Sequence, residues 1–243
     1  MTHNGKKRAT DGLKWPPLTK GILIKRYKRF LADVRLDDGR TVTAHCANSG
    51  TMKACAEPGR PVYLSYHDNP RRKLKYTWEL IDMPTSLVGI NTQVPNRLVK
   101  NSIERGRVRE LRGYEEIRSE VKVSDKSRLD LMLKNKGGET CYVEVKNCTL
   151  VLEGEAFFPD AVTKRGQKHL LELESLLSDT TRCVIFFLVQ RMDATAFCPA
   201  DHIDPEYGKI LRRVNKRGVE IVVYDVAVDL EKIALNRSLP YNL

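Results

Sequence analysis

The 243-residue sequence predicts a mixed α/β protein in two parts, a small all-β barrel followed by a larger domain of mixed sheet and helices. Three observations lead there. Five short runs of strand character, LTKGILIK, FLADVRL, RTVTAHC, PVYLSYH and KYTWELI, crowd the stretch from Leu18 to about Asp82. Helical and strand patterns alternate from residue 96 onward. Between them lies MPTSLVGINTQVPN, residues 83 to 96, where Pro, Gly and Asn interrupt both patterns.

Residues 1 to 14, MTHNGKKRATDGLK, are polar, basic and without periodicity, so residues 1 to 17 are expected to form a flexible basic tail outside the fold. Residues 18 to 83 carry the barrel. Turn signals DDGR at 37 to 40, EPGRP at 57 to 61 and DNPRR at 68 to 72 divide its runs. Strands this short and this close in sequence suit a closed barrel, and the five-stranded OB-fold is the leading candidate. Basic and aromatic side chains interleave here, in Lys25, Arg26, Tyr27, Lys28, Arg29 and Phe30, and again in Tyr63, Tyr66, Arg71, Arg72, Lys73, Tyr76 and Trp78. Such a mixture grips a single strand of nucleic acid, aromatic faces stacking on bases while cations follow the phosphates. Half of the aromatics are expected in the core, which a small barrel needs them to fill.

Residues 84 to 243 form the second domain. A helix is predicted over about 96 to 106, then strands at 117 to 123, 129 to 134 and 140 to 150. A second helix is predicted over 161 to 178, entered through FFPD with Asp160 as its N-cap. Its apolar stripe is Val162, Leu170, Leu173 and Leu177, with Lys164, Gln167 and Lys168 on another face. CVIFFLVQ, beginning at 183, is a continuous apolar run and reads as a central strand buried on both faces. A helix at 205 to 217 and a strand at 219 to 224 complete the domain.

Composition excludes a disordered chain, with 41% hydrophobic and 30% charged residues. No signal-like opening is present and CVIFFLV is too short to span a bilayer, so no membrane association and a cytoplasmic location are expected. The six cysteines show no CxxC pair and read as buried thiols. The net charge of +11 is unevenly placed: residues 1 to 83 hold 17 Lys and Arg against 8 Asp and Glu, a balance of +9, and the remainder only +2. A concentrated positive field is what a polyanion binder needs.

The chemistry centres on CYVEVKNCTLV, residues 141 to 151, where Glu144 and Lys146 interrupt a strand and project from the same face. A solvated ion pair explains them if they stand alone; a metal site requires a further carboxylate. Asp130, the lone acid in SRLDLML, supplies one if the hairpin register allows. A three-residue loop at 136 to 138 pairs Asn135 with Glu139 and sets Asp130 opposite Glu144; a two-residue Gly137-Gly138 loop puts the acids on opposite faces. In the first register two carboxylates and a lysine converge, and Mg²⁺ or Mn²⁺ would relieve the repulsion of the acids. Lys146 would then orient a water or neutralise charge developing on a phosphate.

Asp130 followed by Glu144-Val145-Lys146, within helix, three strands, helix, strand, resembles the core of the PD-(D/E)XK nuclease superfamily. The longer resemblance is to the sugar fermentation stimulation protein A family, carried by KRYKRFLADVRLDDG, TAHCANSGTM, RLDLML, CYVEVKNCTL and FFPDAVTKRGQKHLLEL. It covers nearly everything from Leu18 to Leu243. It implies an OB-fold domain followed by a nuclease-like domain, DNA binding, and a loose link to sugar metabolism. It also implies a glutamate on the first helix as a further metal contact, for which Glu104 is the candidate by position and Glu120 the alternative. Arg165, Gln167, Lys168 and His169 open the later helix, whose N–H groups favour a phosphate. The leading expectation is therefore a largely sequence-nonspecific DNA-binding protein with catalytic residues Asp130, Glu144 and Lys146 in place. An active nuclease on structured or single-stranded nucleic acid, or a protein acting on RNA or another acidic partner, stand as alternatives. The oligomeric state is left open, a homodimer included.

Overall fold

The computed structural model of the protein describes residues 11 to 124 and 127 to 243. In chain order its elements are β1 (Leu13–Lys14), β2 (Leu18–Tyr27), β3 (Leu31–Leu36), β4 (Thr41–His45), β5 (Pro61–Tyr66), β6 (Tyr76–Met83) and β7 (Ser86–Gly89). There follow α1 (Val94–Glu104), β8 (Glu116–Ser124), β9 (Ser127–Lys134), β10 (Thr140–Cys148), β11 (Leu150–Leu152), β12 (Glu155–Phe158) and α2 (Lys164–Leu176). β13 (Thr181–Val189), β14 (Ala196–Pro199), α3 (Pro205–Lys216), β15 (Glu220–Val228) and β16 (Lys232–Ser238) complete the chain. No helix among the described residues is long and apolar enough to cross a membrane.

The two-part α/β architecture is the expected one. Strands β4, β3, β2, β5 and β6 pair in that order, and a parallel contact of Ala44 with Tyr76 and His45 with Thr77 joins β4 to β6 and closes the barrel. Leu23, Val34, Leu64 and Trp78 fill it, each at most 1% exposed. β7 extends the barrel sheet past the expected boundary, so that Val88 and Ile90 also belong to its core. The tail expected over 1 to 17 is corrected in its described part: Leu13 pairs with Ile233 of β16, and Trp15 Nε1 donates to Asp229 O at 2.9 Å. Residues 1 to 10 of that expectation lie outside the described residues.

The second domain is a seven-stranded sheet ordered β1-β16-β15-β13-β10-β9-β8. β13 lies between β10 and β15, parallel to both, and every residue from Cys183 to Val189 is fully buried, as its unbroken apolar run demands. α1 packs Leu98, Val99 and Ile103 on one face with Val143, Val145 and Phe186; α2 and α3 pack Leu170, Leu173 and Leu211 on the other with Ile185 and Phe187.

The entry to α2 differs from expectation. Thr163 is its N-cap, accepting from Gly166 N at 3.0 Å, and Val162 lies outside the helix at 63% exposure. Asp160 instead ties the two domains together. Its Oδ2 accepts from Met52 N at 3.1 Å, and Thr51 Oγ1 donates to its backbone carbonyl at 3.0 Å. The approach is close enough that a Cβ on Gly50 would stand 2.5 Å from Asp160 Oδ2. The segments ANSGTM and FFPD are thus two halves of one joint.

Candidate active site

The β9–β10 hairpin settles the register. Asn135 N donates to Glu139 O at 3.1 Å, Gly138 N donates to Asn135 O at 3.2 Å, and Gly138 takes φ +85°, so residues 136 to 138 form a three-residue turn closed by a left-handed glycine. From Thr140 opposite Lys134 the ladder runs in step to Val143 opposite Leu131. One residue further, where that register sets Glu144 opposite Asp130, the ladder ends.

At the split the two acids take different partners. Asp130 accepts from Val145 N at 2.8 Å and from Asn96 Nδ2 of α1 at 2.6 Å. Its burial and the nearby charge of Glu144 push its pKa up to about 6, against the lowering pull of those hydrogen bonds and of Lys146. Glu144, only 3% exposed, turns toward α2. Lys146 Nζ donates to Glu144 Oε1 at 2.6 Å, and His169 Nδ1 hydrogen-bonds the same oxygen. Burial pushes Glu144 up, but the hydrogen bond from His169 and the charge of Lys146 outweigh it and hold the carboxylate below its ordinary pKa. Glu144 Oε2 is buried and accepts no hydrogen bond among the described residues. Arg165 Nε lies 3.4 Å from His169 Nε2, and the ring's Nδ1 proton faces Glu144. The Lys146 ammonium then spends one of its three donors on Glu144.

Asp130, Glu144, Lys146, Arg165 and His169 are therefore brought together, and other expected residues are not. Glu104 is the last residue of α1, roughly 12 Å along the helix from Asn96, and lies 4.0 Å from Lys100. It is Glu120 that stands across β8 from Asp130, between the pairs Ser119 with Leu131 and Val121 with Leu129, and it lines the same cleft. Glu120 has φ +55°, a left-handed conformation that costs a non-glycine residue on the order of 1 kcal/mol. Among the described residues no three His, Cys, Asp or Glu side chains group as a metal cage, so Asp130 and Glu144 stand as a pair.

Gln167 is also corrected. It is buried, and its Nε2 donates at 2.9 Å to Asp204, the N-cap of α3, so it holds two helices together rather than facing a ligand. Lys168 stands on the exposed side of α2, 3.4 Å from Glu172. On the barrel, Arg26 donates to the carbonyls of Asn48 at 2.8 Å, Gly50 at 2.9 Å and Thr51 at 3.2 Å, and so clamps the loop that receives Asp160. Lys25 lies 3.7 Å from Asp33 and over the ring of Tyr27, whose hydroxyl donates to the same aspartate. Lys28 and Arg29 sit at the hairpin tip with φ +48° and +63°.

Sequence reasoning missed the cleft walls. A cleft of about 430 Å³ joins Asp130 and Glu120 to Asn96, Arg97 and Lys100 of α1, and one of about 500 Å³ joins the same acids to Arg128 and Arg165. The helical pattern of α1 placed Arg97 and Lys100 off its apolar face, but nothing in its spacing pointed that side at Asp130.

A family model described as the sugar fermentation stimulation protein RE domain matches residues 93–232, and one described as the SfsA N-terminal OB domain matches residues 24–90. The chain is 57% identical over 224 residues to a sugar fermentation stimulation protein homolog of Geobacter sulfurreducens, covering 92% of this chain and 96% of that one. It is 48% identical to a homolog from a Marinomonas species, over 97% and 92% of the two chains. Its structure matches that of Pyrococcus furiosus SfsA in complex with Ca²⁺ with a TM-score of 0.88 at 27% identity, covering 97% of this chain and 100% of the other.

Proposed function

For a chain that belongs to the sugar fermentation stimulation protein family, we propose DNA binding as the function, with Asp130, Glu144 and Lys146 forming a divalent-metal-dependent nuclease site in the cleft. The observation that carries this reading is the split hairpin: two carboxylates at the point where β9 and β10 part, a lysine ammonium against one of them, and cations along the walls of the cleft. A bland surface ion pair does not fit, because the Lys146 and Glu144 side chains are only 12% and 4% exposed.

The donor set suits a hard cation. Among the described residues Glu144 Oε2 is buried without a hydrogen bond, and Asp130 is raised by burial and then by its neighbour's charge; a buried bare oxygen and a close pair of acids are both relieved by a cation. Mg²⁺ commonly takes one or two carboxylates and completes its shell with water and phosphate oxygens. The Ca²⁺ complex of the Pyrococcus furiosus relative supports a cation site in this fold. Bound there, Mg²⁺ or Mn²⁺ would polarise a phosphoryl oxygen and lower the pKa of a water. The chain's own residues do the rest. Asn96 and the Val145 N–H fix the Asp130 carboxylate, His169 and Lys146 fix Glu144, and the remaining ammonium protons of Lys146 are available to a phosphate oxygen or an attacking water. Arg97, Arg128 and Arg165 neutralise the backbone that passes through. A regulatory link to sugar metabolism rests on the family's name alone.

The test is incubation with single-stranded, duplex and branched DNA and with RNA, with Mg²⁺ or Mn²⁺, beside Glu144→Ala and Lys146→Ala. Metal-dependent cleavage is expected for the parent protein and a loss of about a thousandfold in either variant, with DNA affinity kept in metal-free buffer. Binding without cleavage on every substrate would leave a DNA-binding protein with an idle site. Absence of binding at low salt would end the proposal.

A further inference from the structure

A second cavity lies beside the start of α1 and adjoins the cleft of the carboxylate pair. It measures about 330 Å³ and is walled by the N-terminal segment through Trp15, by the barrel rim at His67 and Arg72, and by the start of α1 at Arg97. Its wall also carries a buried carboxylate, Glu79, at 5% exposure. Ser65 Oγ donates to Glu79 Oε1 at 2.7 Å and Asn91 Nδ2 donates to Oε2 at 2.7 Å, both neutral groups. Among the described residues Glu79 forms no ion pair. A buried carboxylate held only by neutral donors is costly, and each of its oxygens retains room for one more hydrogen bond.

The surroundings restrict what can answer it. Apart from Glu79 the charged lining is basic, with Lys14, Arg72 and Arg97 and the imidazoles of His45 and His67, so the fitting ligand presents N–H donors to the carboxylate and negative charge to the cations. A nucleotide does both. Its base edge carries N–H groups, its phosphate is anionic, and its ring adds a flat apolar surface for a wall that includes Trp15, an indole partly packed on the core and held by the bond from its Nε1 to Asp229 O. Arg97 and Gln93 line this cavity and also the cleft that contains Asp130 and Glu120. The two spaces meet over the first turns of α1.

We infer that this cavity holds one unpaired nucleotide of the strand whose backbone crosses the Asp130–Glu144 site, the base edge donating to Glu79 and the phosphate lying on Arg72 and Arg97. The inference rests on the DNA-binding reading and narrows it: the substrate class is single-stranded nucleic acid, or duplex with a single-stranded extension, because a base still paired in a helix does not enter a space walled on three sides.

Fluorescence anisotropy in EDTA separates binding from hydrolysis. A short single-stranded DNA is expected to bind about tenfold more tightly than a blunt duplex of the same sequence at equal salt. Arg72→Ala, which touches this cavity and not the carboxylate cleft, should lose about fivefold on the single strand and less than twofold on the duplex. Glu79→Gln, which keeps size and shape, should narrow the spread of affinities among dA, dC and dT oligonucleotides while leaving their mean within about twofold. Equal binding of single strand and blunt duplex by the parent protein, or single-strand binding unmoved by Arg72→Ala, overturns the inference and leaves the DNA-binding reading standing. No binding of either form at low salt brings down that reading instead. Should a variant fail to fold, the ratio of single strand to duplex in the parent protein still decides.

Discussion

The barrel and the cleft use positive charge differently. Most of the net charge sits in residues 1 to 83, and there several of the cations are spent on the barrel itself. Arg26 clamps the 48-to-51 loop, Arg40 pairs with Asp38 at 2.6 Å, Arg60 pairs with Glu57 at 3.0 Å, and Lys25 faces Asp33. The second domain is nearly neutral in sum, yet Arg97 and Arg128 stand exposed beside Asp130 with no ion pair among the described residues. Net charge measures a region's composition; the charge offered to a ligand is what remains after the region has satisfied its own hydrogen bonds. In the barrel Lys25, Arg26, Arg40 and Arg60 are spent in this way, while Lys28, Arg29 and Arg35 keep no ion pair among the described residues; in the cleft Arg97 and Arg128 remain beside Asp130.

Unbalanced charge in the cleft should show first as lost stability. Asp130 is raised from 3.8 to about 6, so the folded state holds its proton to higher pH than the unfolded state and stability falls as pH rises between those values. Above pH 6 the penalty is on the order of 3 kcal/mol. Asp130→Asn should recover most of it in urea melts at pH 8 in EDTA, and about half as much at pH 5. A variant no more stable than the parent at pH 8 would mean that the cleft is as well compensated as the barrel.

The next effect runs the other way. Arg26→Ala removes three charge-assisted hydrogen bonds to loop carbonyls and should destabilise by about 2 kcal/mol, while DNA affinity of the folded protein changes less than twofold. A large affinity loss with unchanged melting would return Arg26 to the ligand surface. Smaller still is the contrast between two pairs of surface cations. Arg97→Ala with Arg128→Ala should weaken DNA binding about tenfold and flatten the salt dependence by roughly two phosphate contacts, whereas Lys25→Ala with Arg40→Ala should stay within twofold. Equal losses from both pairs in a salt titration would erase the comparison.

Local chemistry alone determined much of this protein. Alternation and turn residues set the strands of the barrel, the unbroken run from Cys183 to Val189 made β13 central, and the spacing of Glu144 and Lys146 put both on one face. The 136-to-138 turn admitted two registers from sequence, and the left-handed Gly138 chose the one that aligns Asp130 with Glu144. These features depend on neighbours a few residues away, which is the range over which a sequence pattern carries information.

Docking decided the rest. Asp160 has the residue type and position of an N-cap, but Met52 N and Thr51 Oγ1 from the barrel compete for it, and Thr163 caps α2 instead. Gln167 looked like an outward residue of a helix and is buried because Asp204 needs its amide. Glu104 was the candidate by position and Glu120 the alternative; α1 crosses the sheet so that Asn96, not Glu104, meets Asp130, while the pairing of β8 with β9 carries Glu120 to it. Trp15, in a segment with no periodicity, was placed by β16 more than two hundred residues away. A side chain's face is set by its own strand or helix, but what that face meets is set by how elements distant in sequence pack, and that is fixed only when the whole core closes.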